Sequence, residues 1–495
     1  MLYTRPSGAG SNTPATSATP VSLAADASPE QNGPSSGSAA ARRSEPNLTC
    51  VASGNTARSA PWSAALKTAA RTRSRFTGGL ELTGICPNAT RMHPTLTGHP
   101  GQHGIINNVN RPLLNRRLQG LGTTIFAEMS ARAVATGSIN LGQGFPDRDG
   151  PPEIARAAAD AILQGRGNQY PPGPGIPELR RAITEHRRRY YQMDYDPDTE
   201  VLVTAGATEA VAATLLALVE PGDEVIAFEP YYDSYAANIA MAGGTRVSVT
   251  LRPPGFRPDL AELAQAITPR TRLILLNSPH NPTGSVFTRA ELAAVAALAV
   301  EHDLLVVTDE VYEHLIFHGE HVPIAQFPGM RERTVAISSA GKTFSFTGWK
   351  IGWVLAAPEL VGAVKTVKQF LTFVNGGPFQ YAIAQALALP DAYYRTLRAD
   401  LQAQRDLLTR GLAEIGFEVY PPQGTYFVTT DIKPLGEPDG LEFCRALPER
   451  ARVVAIPSSV FYDHTDAART QVRFAFCKRP EVLTEALDRL KTFLT

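Results

Sequence analysis

The sequence predicts an α/β fold with a mostly parallel central sheet in a large domain, joined to a smaller α+β domain. Two patterns predict it. Short runs rich in Val, Ile and Leu at 201–206, 224–230, 245–251, 273–277, 304–309 and 334–339 alternate with helix-like stretches such as 208–219, 234–243 and 289–303. Strand and helix alternating at that spacing argue a parallel sheet covered on both faces. The last hundred or so residues read differently, with a long helical stretch at 391–415, strands at 426–430 and 453–456, and the pair 472–476 and 480–494. At 495 residues and 43% hydrophobic content, the chain can build two or three domains around sizeable cores.

Residues 1–109 stand apart. Ser, Thr, Ala, Gly and Pro crowd them without helical or strand periodicity, and between Met1 and Pro100 the only acids are Asp26, Glu30, Glu45 and Glu81. Such a stretch buries too little apolar surface to offset its chain entropy, so it is expected to be a disordered or artefactual leader. Its acid-poor, Arg- and Ser-containing composition also resembles an organellar transit peptide, although the amphipathic Arg-bearing helix is not evident and there is no secretory apolar segment. A start codon assigned too far upstream is the plainer alternative.

Composition narrows the function. The 47 basic and 47 acidic side chains cancel, which removes the basic footprint of a nucleic-acid binder. Cys50, Cys86, Cys444 and Cys477 are too scattered for a disulfide framework or a zinc cage, so no metal site is expected. No apolar run approaches the roughly 18 residues of a membrane helix. A cytoplasmic enzyme acting on small molecules is the expectation.

Open α/β sheets bind ligands beyond the carboxyl ends of their strands. Here 273–276 runs into Asn277-Ser-Pro-His-Asn281-Pro-Thr-Gly284, 304–308 into Asp309-Glu-Val-Tyr312, and 334–337 into Ser338-Ser339-Ala-Gly-Lys342. Taken singly these are an ordinary turn, a helix N-cap and a surface lysine. Taken together they bring amides, an acid with a phenol one helical turn on, and a lysine behind serines to one crevice. A strand-to-helix turn at 204–208 leaves the amides of Ala207 and Thr208 available to an anion. Arg473 lies on an apolar strand, where an arginine needs a partner and its fork suits a carboxylate.

These motifs, with Gly348-Trp-Lys350-Ile-Gly352 and Val472-Arg473-Phe474, resemble the fold-type I, pyridoxal-phosphate-dependent aminotransferases of class I/II over roughly residues 110–495. Leu141-Gly-Gln-Gly-Phe-Pro-Asp147, Asn168-Gln-Tyr170 and Gly348-Trp-Lys350 are similar to the kynurenine, glutamine and methionine aminotransferase branch. Asn168-Gln-Tyr-Pro-Pro-Gly-Pro-Gly175 and Phe474-Ala-Phe-Cys-Lys-Arg479 resemble the actinobacterial enzymes assigned as N-succinyldiaminopimelate aminotransferases. The resemblance implies that 110–139 begins the small domain, 140–390 forms the large cofactor domain and 391–495 completes the small one.

The resemblance also implies roles. Lys342 would carry pyridoxal 5'-phosphate and shuttle a proton as general base. Asp309 would hold the ring nitrogen protonated, Tyr312 and Asn281 would bond the phenolic oxygen, and Tyr232 would stack on the ring. Ala207, Thr208, Ser339 and Lys350 would hold the phosphate, Lys350 as a point charge where the class more often has arginine. Tyr170 would enter the site from a neighbouring subunit, implying a homodimer. Arg473, with Asn277 and the backbone of Gly144, would bind the substrate α-carboxylate. The implied activity is ping-pong transfer of an amino group to 2-oxoglutarate from N-succinyl-LL-2,6-diaminopimelate, in lysine biosynthesis. Kynurenine, glutamine or methionine transamination with cysteine-S-conjugate β-lyase activity is the alternative. A regulator fusing a DNA-binding helix-turn-helix to such a domain is a third reading, against which 1–104 shows no helix pair and no strongly basic recognition helix.

Overall fold

The structure, a computed structural model, describes residues 113–119, 122 and 124–494; the leader expected at 1–109 lies outside them. In chain order the strands are β1 (Ile139–Asn140), β2 (Val201–Ala205), β3 (Glu224–Glu229), β4 (Thr245–Thr250), β5 (Thr271–Asn277), β6 (Leu305–Asp309), β7 (Thr334–Ser339), β8 (Ile351–Leu355), β9 (Glu418–Tyr420), β10 (Phe427–Asp431), β11 (Val453–Val454), β12 (Ile456–Pro457) and β13 (Gln471–Ala475).

Seven of them form the large sheet in the order β2-β8-β7-β6-β5-β3-β4. From β7 across to β4 every neighbouring pair is parallel, whereas β8 runs antiparallel to both β2 and β7. All six strands expected from the sequence are present, and β8 is the addition. It follows β7 after only the short helix Ala340–Thr343 and the turn Thr347–Trp349. An antiparallel return needs no crossover helix, so the strand–helix rhythm carries no sign of it. Every residue of β3, β7 and β8 is buried, as strands covered on both faces must be.

Register positions the chemistry. Asn277 lies opposite Asp309, and Asp309 opposite Ile337, so the carboxyl ends of β5, β6 and β7 are level. The four-stranded sheet β12-β13-β10-β9 is antiparallel. The strand expected at 453–456 divides at Ala455: β11 pairs in parallel with β1, and β12 pairs with β13. Residues 480–494 are a helix, which packs on the 25-residue helix Asp391–Ile415. Met129 and Leu141 share a core with Leu408, Val428 and Phe474, tying the helix Ile125–Thr136 and the segment after β1 to the C-terminal elements. Among the described residues no helix is long and apolar enough to cross a membrane.

Candidate active site

A cleft of about 510 Å³ opens at the level strand ends. Asn277 and Asn281 reach it from β5 and its following turn, Asp309 from the end of β6 and Tyr312 from the turn after it, and Ser339 from the end of β7 and Lys342 from the short helix that follows. Arg473 from β13 and Phe427 from β10 face them, and Gln143 and Gly144 after β1 complete that wall. At Gly144 a β-carbon would lie 2.3 Å from the Phe427 ring, so no side chain fits there, and its carbonyl accepts a 2.6 Å bond from the Tyr426 hydroxyl.

Asp309 is 6% exposed. Its Oδ2 accepts from the Tyr235 hydroxyl at 2.7 Å and its Oδ1 from the Val311 amide at 3.3 Å. Burial raises its pKa above the ordinary aspartate value, opposed by the Tyr235 and Val311 bonds and by Lys342. A carboxylate held mostly by neutral donors in a buried place suits a cationic partner. Lys342, on the short helix Ala340–Thr343, holds its Nζ 5.8 Å from the Tyr312 ring centre and 5.6 Å from that of Tyr426. Desolvation lowers its pKa below the ordinary lysine value, with Cys477 and Asp309 pulling the other way. Burial, then Asp309, raises the Tyr312 hydroxyl, so the phenol stays protonated. Tyr232 lines the cleft with its pKa raised to about 12, chiefly by burial, and its ring meets Tyr235 edge-on at 5.8 Å.

The anion corner is the start of the helix Gly206–Leu218. Its N-cap, Ala205, has no side-chain oxygen to cap the first turn, and Glu209 bonds back to the Ala205 amide at 2.6 Å. Ala207, Thr208, Ser339 and Lys350 line this end of the cleft, with Lys350 Nζ 3.2 Å from Thr208 Oγ1. Gly206, at φ +74°, keeps the turn narrow, since a β-carbon there would sit 3.2 Å from the Lys350 side chain. Uncapped amides beside a cation and a hydroxyl form an anion site at a helix N-terminus.

Arg473 is 1% exposed. Its Nη1 donates to Asn281 Oδ1 at 3.1 Å and its Nη2 to the Gly142 carbonyl at 2.6 Å, while Nε has no partner. The guanidinium sits 4.0 Å from the Phe427 ring centre and 5.0 Å from that of Phe461. Burial lowers its pKa to about 10, which leaves it cationic at neutral pH. An orphaned N–H on a buried cation fits a carboxylate ligand. The amide that meets it belongs to Asn281. Asn277, expected in that place, donates from Nδ2 to the Asp309 carbonyl at 2.8 Å and accepts the Asn281 amide at 2.7 Å, so it braces the two strand ends against each other.

These observations answer whether pyridoxal phosphate suits the site. A buried carboxylate, a lysine amine whose pKa burial lowers, an uncapped helix start with a cation, and a second cation with a free N–H would suit its ring nitrogen, its aldehyde, its phosphate and a substrate carboxylate. They fit. Tyr170 is not in this cleft: it is 82% exposed and packs edge-on against Phe373 at 5.4 Å.

Two features escaped the sequence reading. Tyr235 lies one helical turn past Tyr232, a spacing that could have revealed it. Behind the cleft, Arg187 donates to Glu310 at 2.5 Å and to Glu313 at 3.2 Å, and Ser338 donates to Glu313 at 2.6 Å. Glu310 and Glu313 thus face away while Asp309 and Tyr312, offset by one residue, face the cleft. Burial pushes Glu313 up, but Arg187 and three nearby histidines hold its carboxyl at about 2.

The sequence profile described as aminotransferase class I and II matches residues 136–490. The structure of N-succinyldiaminopimelate aminotransferase from Mycobacterium tuberculosis is similar with a TM-score of 0.76 and 56% identity, covering 77% of this chain and 100% of that one. Methionine aminotransferase of Escherichia coli (strain K12) is 42% identical over 77% of this chain and 99% of its own length. Kynurenine–oxoglutarate transaminase 3 of Mus musculus is 36% identical over 75% of this chain and 88% of its own.

Proposed function

The chain belongs to the class I and II aminotransferases, which depend on pyridoxal phosphate, and from that premise we propose that its amino donor is N-succinyl-LL-2,6-diaminopimelate and its acceptor 2-oxoglutarate. The observation that carries the donor is the 56% identity to an N-succinyldiaminopimelate aminotransferase along that protein's whole length. The cleft supports the transfer itself: Asp309, Lys342 and Arg473 converge in it.

Asp309 would hold the cofactor's ring nitrogen, Tyr312 and Asn281 its phenolic oxygen, and Tyr232 one face of the ring. The amides of Ala207 and Thr208, the Ser339 hydroxyl and the Lys350 ammonium would hold its phosphate, and Lys342 would bear its aldehyde carbon. Bound pyridoxal phosphate supplies an electron-withdrawing ring that accommodates the electron pair left when a Cα–H bond breaks. Arg473 fixes the donor's α-carboxylate, its charge strengthened by the apolar rings around it. Once the donor's amine has taken its place on the aldehyde carbon, the freed Lys342 Nζ, its pKa lowered by desolvation, would take the proton from Cα as general base. The pair Tyr235–Asp309 keeps the carboxylate turned into the cleft.

The exposure of Tyr170 and Phe373, at 82% and 50%, supports a homodimer in which Tyr170 enters the cleft of a second copy. Identities of 42% and 36% to a methionine and a kynurenine transaminase support the alternative donors. The deciding experiment assays purified enzyme with 2-oxoglutarate against the succinylated donor, kynurenine, glutamine and methionine across a salt series. Preference for the succinylated donor by orders of magnitude, weakening with salt because its distal carboxylates are screened, upholds the assignment. A salt-insensitive preference for kynurenine or methionine replaces the donor and leaves the aminotransferase intact.

A further inference from the structure

Lys342 lines two cavities. Besides the cleft, a second space of about 380 Å³ reaches it from the other side, bounded by Tyr393, Leu397, Leu401, Tyr426 and Cys477. The loop between them is the segment after β1. Phe145 lines the cleft, and Pro146 and the residues after it line the second cavity. This segment has almost no regular structure, yet it is gripped at Gly142, Gly144, Phe145 and Asp147. Arg473 takes the Gly142 carbonyl and Tyr426 the Gly144 carbonyl, each at 2.6 Å. The Asp147 carboxylate accepts the Arg479 amide at 3.0 Å.

The grip on Phe145 is double. Lys478 Nζ donates to its carbonyl at 2.6 Å and lies 4.0 Å from its ring centre. Lys478 is 5% exposed, so an ammonium has been buried at this wall, whereas the ring it holds is 42% exposed. A buried cation that spends a hydrogen bond and a ring contact on one residue restrains that residue's backbone and side chain together.

We infer that Lys478 is a specificity-positioning residue: by pinning Phe145 it keeps the partition between the two cavities closed, and so bars bulky donor side chains from the second one. The inference rests on the reading of the cleft as the amino-acid site. Without Lys478 the Phe145 ring turns away, the cavities join beside Lys342, and an aromatic side chain gains apolar surface that a methyl group never reaches. The α-carboxylate grip of Arg473 is untouched.

Amino acids methylated at Cα have no Cα hydrogen and bind without turnover, so titrating the bound cofactor's absorbance measures their Kd in the holoenzyme. The probes are 2-aminoisobutyrate and α-methylphenylalanine, with wild type, Lys478→Met and Lys478→Arg. Lys478→Met is expected to lower the ratio of the aromatic to the small Kd about tenfold, the scale on which an apolar pocket discriminates. The Kd of 2-aminoisobutyrate should hold steady, and Lys478→Arg, which keeps the charge and a donor, should restore the wild-type ratio. A ratio unchanged in Lys478→Met, or both constants moving together, overturns the inference. Should Lys478→Met fail to fold, Phe145→Ala opens the same partition and must lower the same ratio. If neither probe perturbs the wild-type absorbance, the reading of the cleft itself fails.

Discussion

The Tyr235 hydroxyl donates a 2.7 Å hydrogen bond to Asp309 Oδ2, the shortest tie on the most deeply placed carboxylate of the cleft. Burial raises the Asp309 pKa and Tyr235 opposes that rise. In Tyr235→Phe that part of the opposition is gone and only the Val311 amide and Lys342 remain, so Asp309 takes up its proton at higher pH and loses its charge sooner on acidification. Cofactor release, followed by absorbance during acid titration, should therefore begin at higher pH than in the wild type. The cost at neutral pH should be about 1.5–3 kcal/mol in cofactor affinity, the worth of a hydrogen bond to a charged group. An identical titration curve would remove Tyr235 from this role.

Lys342 gives a pH dependence of known sign. Its folded-state pKa lies below the ordinary value of 10.5 because the charged form is desolvated. Between the two values the unfolded chain binds more protons, so stability of the apoenzyme rises with pH through that window, and the penalty is complete below it. Lys342→Met, similar in length and uncharged, should thus melt above wild-type apoenzyme at neutral pH, with the gap closing as pH rises toward the ordinary lysine value of 10.5. The same variant should show no cofactor linked to the chain by mass spectrometry after borohydride reduction. A lower melting temperature at every pH would contradict the desolvation argument.

Arg473 serves the carboxylate that all amino donors share. Arg473→Ala should lower kcat/KM for every donor by a similar factor, roughly one to two decades for about 1.5–3 kcal/mol. Arg473→Lys should not restore it, because a point charge cannot bridge Asn281, Gly142 and a ligand as the planar fork does. A loss confined to one donor would move Arg473 to the side-chain pocket.

Arg187 is 2% exposed and pairs with two buried glutamates, Glu310 and Glu313. Arg187→Met should destabilise the fold by about 3–5 kcal/mol, as expected when one partner of a buried ion pair is lost. Denaturant unfolding of Arg187→Met beside Arg187→Met/Glu313→Gln should show part of that loss recovered in the double variant. Equal loss in both would mean that Glu313 is not the charge left stranded.

Much of the site could be read from local chemistry. Asn281, Asp309, Tyr312 and Lys342 each sit at the end of an apolar strand or a few residues beyond one, and strands of this kind are recognisable from their own composition. Parallel order then places their carboxyl ends together. The helix start at Ala207 and Thr208 was legible for the same reason, since the turn into Gly206–Leu218 is a local event.

What local chemistry left undecided is whatever depends on which distant segments meet. Arg473 and Asn281 are 192 residues apart, and packing chose Asn281 over Asn277 because the latter's amide is occupied by the β5–β6 junction. The division of 453–456 between two sheets needed β1 as a partner, and β8 needed only a short antiparallel return. Lys478 reads in sequence as one more charge after a strand; only the folded chain lays Phe145, 333 residues earlier, against its ammonium. Strand and turn chemistry is settled within a few residues of chain, whereas these contacts are settled by close packing between segments that share no local signal.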